Sequence, residues 1–212
     1  MRVPDVPRRL PKPRVHPWPA GQPIVRVHDI RMGATEFNGS EVSRRFRPIY
    51  RESAVVPTLY GADMDAGALS ETVLHDVPVR GGGRRIQRKN LVHQVLSTII
   101  PTIPLNLVEL HGAGLRRLQI THGELIESGA RHYPRTAEWS RALYEYGDEF
   151  HGLAWRSRQF NDSIAVMLWG DRVNRFEHLR PEPDQPPLPL FLGEGYERVM
   201  QLANDFDITV VG

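Results

Sequence analysis

The chain contains no cysteine, is close to neutral in net charge and has no long apolar run. The absence of cysteine excludes disulfides and thiolate metal sites, and it makes an intracellular, reducing compartment the simpler expectation. The formal net charge over 212 residues is +2, so global charge gives little support for nucleic-acid binding. No stretch approaches the roughly 18 apolar residues that span a bilayer. We therefore expect a soluble, cytoplasmic protein without membrane contact.

Motifs that are typical of several enzyme classes are also missing. The nine histidines include no H-E-x-x-H pair, so a zinc enzyme has little support. No G-x-S-x-G elbow accompanies "HGAG" or "THGE", so a serine hydrolase is not indicated. The basic segment "VRGGGRRIQRKN" lacks the ending of a P-loop, and a mobile, solvated loop is the favoured interpretation. The sequence predicts no metal site.

Irregular, proline-rich ends enclose a regular middle. With 40% hydrophobic residues, a chain of this length can bury most of its apolar surface in one core. Residues 1–23 alternate prolines with arginines and predict an extended arm. The arm could contact RNA, a partner or an SH3-like groove, but a segment lying across its own domain is favoured. Residues 24–180 form the predicted main domain, and residues 181–212 a proline-rich connection with a helix and a strand that pack on it.

Alternation and helical spacing predict a mixture of strands and helices. "PIVRVHDI" is a predicted strand with Arg26 on the face that is not core by pattern, and "AVVPTLYGA" is a second strand ending at Tyr60. "LVHQVLSTII" predicts a helix up to Pro101, and "TAEWSRALYEY" a helix with its aromatic residues in the core. "HGLAWRSR" and "DSIAVMLWGD" predict a hairpin. These elements lack a regular βαβ order, which favours an α+β fold with a largely antiparallel or mixed sheet.

The stretch "LYGADMDAGALSETVLHD" carries one carboxylate in the middle of a predicted helix. A buried stripe is formed by Ala66, Leu69 and Val73. At about 100° per residue, Glu71 lies roughly 200° from Leu69, and His75 lies beside it. Glu71 is therefore predicted to face away from the buried stripe.

Five residues, in their order and spacing, resemble the pattern of RES-domain proteins, a family named for its arginine, glutamate and serine. They are Arg26 in "IVRVHD", Arg45 in "SRRFRP", Tyr60 in "LYGADM", Glu71 in "ALSETVLHD" and Ser157 in "WRSR". The resemblance covers residues 24 to 172. It departs from the family at "RRFRP", where a "GRW/F-N" segment is common, so Arg44, Arg45 and Arg47 all stay candidates for the ligand. We favour Arg45 because it directly precedes the aromatic Phe46.

The resemblance implies a fold related to ADP-ribosyltransferases and the role of a toxin in a bacterial toxin-antitoxin pair. The implied reaction splits NAD at its nicotinamide-ribose bond, with phosphate, water or a protein side chain accepting the ADP-ribose. In this scheme Glu71 and Arg26 are catalytic, and Arg45, Tyr60 and Ser157 bind NAD. NAD is the substrate and inorganic phosphate a candidate co-substrate. The implied partner is an antitoxin with a helix-turn-helix DNA-binding domain, and a homo-oligomer is left open.

The predicted residues suit this chemistry physically. Nicotinamide attached to ribose is cationic and leaves as a neutral molecule, so one carboxylate that stabilises an oxocarbenium-like transition state is sufficient. Arginines provide planar, permanently charged donors for the pyrophosphate. Two alternatives stay open. One is a protein ADP-ribosyltransferase, and the other is a non-enzymatic RNA- or protein-binding module that uses the arm and the basic loop from Arg80 to Lys89.

Overall fold

The computed structural model describes residues 2–212 and divides them into strands, α-helices and two short 3-10 helices. The strands are β1 (Val15–Trp18), β2 (Ile24–Asp29), β3 (Tyr50–Arg51), β4 (Ala54–Val55), β5 (Thr58–Ala62), β6 (Arg85–Gln87), β7 (Gln94–Pro101), β8 (Leu105–Glu109), β9 (Gly152–Arg156), β10 (Ile164–Trp169), β11 (Leu179–Pro181), β12 (Leu188–Pro189) and β13 (Thr209–Val211). The α-helices are α1 (Asp65–Thr72), α2 (Gly112–Arg117), α3 (His122–Leu125), α4 (Tyr133–Tyr146) and α5 (Gly193–Asp205). Across residues 2–212, none of these helices is long and apolar enough to cross a bilayer.

One large sheet organises the fold. Nine strands belong to it, in the order β1-β8-β9-β10-β5-β2-β7-β11, and β12 also pairs with β7. Strands β8 and β9 are parallel, and the other neighbouring pairs are antiparallel. Strands β6 and β13 form a separate parallel pair, and β3 and β4 a short antiparallel pair. The predicted α+β fold with a mixed, largely antiparallel sheet is confirmed.

Both faces of the large sheet are covered by hydrophobic core. Along β10, Met167 and Trp169 join a cluster with Trp139 of α4, whereas Val166 and Leu168 join another cluster on the opposite face. This alternation follows from the two-residue period of a strand. A third cluster lies under α1 and α5. The antiparallel pairing of β9 with β10 confirms the predicted hairpin.

The segment predicted as a helix up to Pro101 is a strand. "QVLSTIIP" forms β7, which lies between β2 and β11 and is buried along most of its length. A strand that is covered on both faces shows no polar alternation, so its apolar run resembles a buried helix. The helix prediction is therefore wrong at this position.

The helix predicted from "TAEWSRALYEY" is confirmed as α4, although it begins earlier, at Tyr133. Trp139 and Leu143 are buried as predicted. Tyr146 is exposed, and its ring instead contacts the edge of Phe150. The prediction that Tyr146 belongs to the core is wrong, because the last turn of α4 extends beyond the hydrophobic cluster that contains Trp139.

The proline-rich arm packs on its own domain. Val3 is fully buried in the main core, and the indole N–H of Trp139 donates to the carbonyl of Pro4 at 2.8 Å. Further along, β1 pairs with β8 at the edge of the large sheet. The sequence does not predict this strand, since Pro17 interrupts it, but a proline is tolerated at a sheet edge.

Helix α1 connects the sheet to the region of the predicted site. Leu69 is buried in the cluster shared with α5, and Ala66 and Val73 pack against the same cluster. Gly67 is in close contact with Ser163, because a Cβ on residue 67 would lie 1.8 Å from the Ser163 hydroxyl oxygen. This packing fixes the rotation of the helix about its axis, and Glu71 lines a cavity beside it.

Candidate active site

A cavity of about 540 Å³ lies where α1, β2 and β5 meet the segment before β3. This volume falls in the range of about 300–1,000 Å³ that is typical of small-molecule sites. Of the predicted site residues, Arg26, Arg45, Tyr60 and Glu71 line the cavity, and Ser157 is not among its lining residues. A second cavity of about 580 Å³, around Gly170, contains none of the five. The structure thus brings four of the five predictions together.

Arg26 lies in the wall of the cavity contributed by β2. Its Nη1 atom donates to the carbonyls of Ala34 and Glu36, both at 2.8 Å, so the side chain holds the loop that follows β2. Burial lowers the pKa of Arg26 to about 10, against an opposing effect of Glu36. The guanidinium is still charged at neutral pH. Its Nε atom is buried and has no hydrogen-bond partner among residues 2–212.

The segment Arg44–Arg47 forms a tight turn beside the cavity. The backbone N–H groups of Arg44 and Arg47 each donate to the other residue's carbonyl at 3.2 Å. Between them, Phe46 is fully buried with a positive φ of 71°. All three arginines of the segment line the cavity, but Arg45 and Arg47 are buried and Arg44 is exposed. The turn therefore directs two buried cations toward the same space.

Arg45 and Arg47 make few contacts for buried arginines. Arg45 Nη1 donates to the carbonyls of Leu125 and Ser128 at 3.3 and 3.2 Å, and its guanidinium lies 5.8 Å from the ring centre of Tyr133. Arg47 Nη1 donates to Ser40 O at 3.1 Å. Arg45 Nη2 and Arg47 Nε are buried without a partner in the described part of the chain. Burial lowers the pKa of both side chains.

Tyr60 lies at the floor of the cavity on β5. Its hydroxyl donates a hydrogen bond to the carbonyl of Arg45, and its ring makes an edge contact with Trp155 at 6.2 Å between ring centres. Burial raises the pKa of the phenol above its ordinary value. Tyr60 is therefore neutral, and it connects β5 to the arginine turn.

Glu71 faces the cavity from the last turn of α1. The side chain is half-buried, and its Oε1 atom accepts a hydrogen bond from the backbone N–H of Arg158 at 2.9 Å. The carboxylate also acts on Arg45, whose pKa it raises against the larger effect of burial. The Glu71 carboxylate therefore lies in the same cavity as several arginines, and Asp29 and Asp76 are also among the lining residues.

His75 and Tyr133 form a hydrogen-bonded pair beside Glu71 that the sequence does not assign to the site. His75 Nε2 lies 2.9 Å from the Tyr133 hydroxyl, and both residues line the cavity. Burial lowers the pKa of His75, the neighbouring Glu71 partly opposes this, and Arg45 lowers the pKa further. The four-residue spacing from Glu71 could have indicated His75. Nothing local to Tyr133 indicates that it would reach this site.

Ser157 lies behind Glu71, in the loop between β9 and β10. Its hydroxyl oxygen accepts a hydrogen bond from the backbone N–H of Phe160 at 3.2 Å, and its own N–H donates to Ser163 O at 3.0 Å. The side chain is almost fully buried. These contacts place the hydroxyl within the loop and away from the cavity.

The arrangement combines buried arginines with the Glu71 carboxylate and the hydrogen-bonded pair of His75 and Tyr133. Buried arginine donors that lack protein partners suit an anionic ligand, because charge-assisted bonds to phosphate oxygens would satisfy them. No group of three or more histidine, aspartate or glutamate side chains within residues 2–212 is arranged to hold a metal ion. The cavity can therefore bind a polyanionic molecule and present a carboxylate to part of it.

Comparisons with known proteins give a family match and a similar fold. The sequence model of the RES domain matches residues 23–190. No match was found among curated proteins. The fold is similar to a chain in the crystal structure of the M. tuberculosis MbcT-MbcA toxin-antitoxin complex, with a TM-score of 0.59 and 12% sequence identity over 89% of this chain and 92% of that chain. At this identity, the structural likeness concerns the fold alone.

Proposed function

The chain belongs to the RES-domain family, and on that premise we propose that it is the toxin of a bacterial toxin-antitoxin system and cleaves the nicotinamide-ribose bond of NAD. The observation that carries this proposal is the single cavity that Arg26, Arg45, Tyr60 and Glu71 share. A cavity of about 540 Å³ with buried cations suits a dinucleotide with a charged pyrophosphate.

In the proposed reaction, the arginines bind and Glu71 stabilises charge. Arg45 and Arg47 line the cavity, and within residues 2–212 each has a buried donor without a partner, which suits them to bind pyrophosphate oxygens. Tyr60 offers an aromatic surface to nicotinamide or ribose. As the C1'–N bond breaks, positive charge develops on the ribose, and the Glu71 carboxylate stabilises it. Nicotinamide leaves as a neutral molecule and needs no proton.

The acceptor of the ADP-ribosyl group decides the reaction class. Inorganic phosphate would make the enzyme a phosphorylase, water a glycohydrolase and a protein side chain an ADP-ribosyltransferase. When water attacks C1', it must lose a proton, and the neutral imidazole of His75 beside Glu71 is a suitable acceptor. Phosphate needs no such base.

An NAD-consumption assay tests the proposal. We expect Glu71→Gln to lower the turnover of purified protein by at least about a hundredfold, because the amide removes the negative charge that stabilises the transition state. The exchange is nearly isosteric, so the fold should persist, as circular dichroism would verify. Glu197→Gln on the exposed side of α5 is the matched control and should retain full activity.

Product masses from the same assay, with and without phosphate and with cell extract, separate the three acceptors. ADP-ribose 1''-phosphate would identify phosphorolysis, free ADP-ribose hydrolysis, and modified protein a transferase. If Glu71→Gln consumed NAD at the wild-type rate, the proposed mechanism would be wrong.

An antitoxin is the proposed partner. The similar solved chain comes from a toxin-antitoxin complex, and the family resemblance adds a helix-turn-helix domain on the antitoxin and a cytoplasmic site of action. We propose that such a partner covers the cavity, because it would have to keep NAD from Glu71 to protect the cell.

A further inference from the structure

The loop between β9 and β10 lies directly against the segment that carries Glu71 and His75. Ser157 and Ser163 stand at its two ends, joined by a backbone hydrogen bond of 3.0 Å. The Ser157 hydroxyl and the carbonyl of Phe160 make further bonds within the loop. Its shape is therefore set by its own contacts, independently of any ligand.

At one end, this loop is fixed to the beginning of α1. Ser163 packs against Gly67 so closely that no side chain fits at residue 67. The Asp63 carboxylate, just before α1, accepts hydrogen bonds from the Ser163 hydroxyl and from the N–H of Ile164. The loop and the start of the helix thus form one rigid unit.

At the other end, Arg158 and Gln159 contact the last turn of α1 and the residues that follow it. The backbone N–H of Arg158 donates to Glu71 Oε1 at 2.9 Å. The side-chain Nε2 of Gln159 lies 3.3 Å from the carbonyl of Leu74 and 3.2 Å from those of His75 and Val77. Because all three neighbours are acceptors, only the amino group of the amide can face them.

Gln159 therefore holds the turn of residues 74–77, which follows α1 and carries His75. Its own side chain is not among the residues that line the cavity. The same short loop fixes the Glu71 carboxylate through Arg158. A displacement of about 1 Å in a catalytic group can reduce a rate about a hundredfold, so this support has a direct consequence for turnover.

We propose that Gln159 is a positioning residue, which sets the placement of Glu71 and His75 without touching the substrate, and that Ser157 serves the same purpose by shaping the loop. This inference rests on the proposed NAD-cleaving function only for its kinetic test. Gln159→Glu keeps the size of the side chain but replaces the donor with a carboxylate that repels the three carbonyls. Gln159→Lys restores a donor.

The test measures kcat and KM for NAD together with hydrogen-deuterium exchange of peptides covering residues 69–77. For Gln159→Glu, we expect kcat to fall at least about tenfold with KM within about twofold of wild type, since the arginines that bind the pyrophosphate are untouched. Exchange at residues 74–77 should increase. Gln159→Lys should recover part of kcat, and Gln185→Glu, at an exposed position whose oxygen accepts from Thr98, should behave like wild type.

Two results would overturn the inference. One is a Gln159→Glu protein with wild-type kcat and unchanged exchange at residues 74–77. The other is equal impairment of the Glu and Lys variants with raised exchange throughout the chain, which would indicate general destabilisation. If the wild type itself consumes no NAD, the proposed function fails, and local exchange in Gln159→Glu against Gln185→Glu then decides the positioning role alone.

Discussion

Arg172 and Arg45 are both largely buried, but they use their guanidinium groups differently. Arg172 donates from Nη1 to the carbonyls of Gly147 and Phe150 and from Nη2 to the carbonyl of Tyr144, all within 2.9 Å. Its guanidinium also lies 4.0 Å above the ring of Tyr144. These contacts join the end of α4 to the end of β10, which is a structural role.

Arg45 makes longer bonds of 3.3 and 3.2 Å from one nitrogen, and its Nη2 has no partner within residues 2–212. Leaving a buried donor unsatisfied costs about 1–3 kcal/mol, and more for a charged group. Arg26 and Arg47 each have an unsatisfied Nε beside the same cavity. A buried Nε without a partner also occurs in Arg84 and Arg88, outside the cavity, so it is the position of such donors beside the cavity that leads us to expect ligand binding by Arg45.

The same Arg→Lys exchange should therefore reduce stability at Arg172 and NAD affinity at Arg45. The larger change in free energy is expected for Arg172→Lys. A single ammonium group cannot reach the carbonyls on both sides of the Arg172 fork. We expect Arg172→Lys to lower the free energy of unfolding by about 3 kcal/mol, as measured by chemical denaturation. The affinity of the folded fraction for NAD should not change. Unaltered stability would contradict the structural role.

Arg45→Lys should mainly weaken NAD binding. The positive charge persists but the fork is lost, so we expect the affinity to fall about tenfold, or about 1.4 kcal/mol. Calorimetry with the Glu71→Gln background, which should not consume the ligand, measures this directly. Stability should change by less than about 1 kcal/mol, because only two long bonds are lost. If Arg45→Lys reduced the free energy of unfolding by more than it weakened the free energy of NAD binding, the two arginines would not differ in role.

The smallest effect concerns two histidines, one in each region. Burial lowers the pKa of His75, and the charge of Glu71 partly opposes this shift. Burial also lowers the pKa of His151, and the charge of Arg172 lowers it further. Glu71→Gln should therefore lower the NMR titration midpoint of His75 and leave that of His151 unchanged. Since the pKa of His75 is lower in the folded chain, its contribution to stability is complete above about pH 6.5 and declines as the pH falls. A His75 midpoint at or above that of an unfolded chain would contradict this electrostatic description.

Much of the fold around the cavity is readable from local sequence patterns. Strand alternation locates β2 and β5, and helical spacing turns Glu71 away from the buried stripe of α1. The failure at β7 has a physical reason, because a strand covered on both faces has the same apolar composition as a buried helix. Strand β1 is missed because its stability comes from pairing with β8, about 90 residues further along the chain.

The site divides in the same way. Arg26, Arg45, Tyr60 and Glu71 are predicted from the pattern of residue types along the chain, and all four line the cavity. Tyr133, at the beginning of α4, reaches His75 only through a tertiary contact between residues 58 positions apart in the chain. The placement of Ser157 and Gln159 depends on how a hairpin loop closes, and no periodicity in the sequence encodes such closure.

The prolines of the irregular ends have a consequence for the assembly of the large sheet. Each of the strands at its margins contains one: Pro17 in β1, Pro181 in β11 and Pro189 in β12. A proline has no N–H to offer to an incoming strand, so these margins are poor templates for edge-to-edge aggregation. Segments that look merely irregular in the sequence thus limit the growth of the sheet at both of its edges.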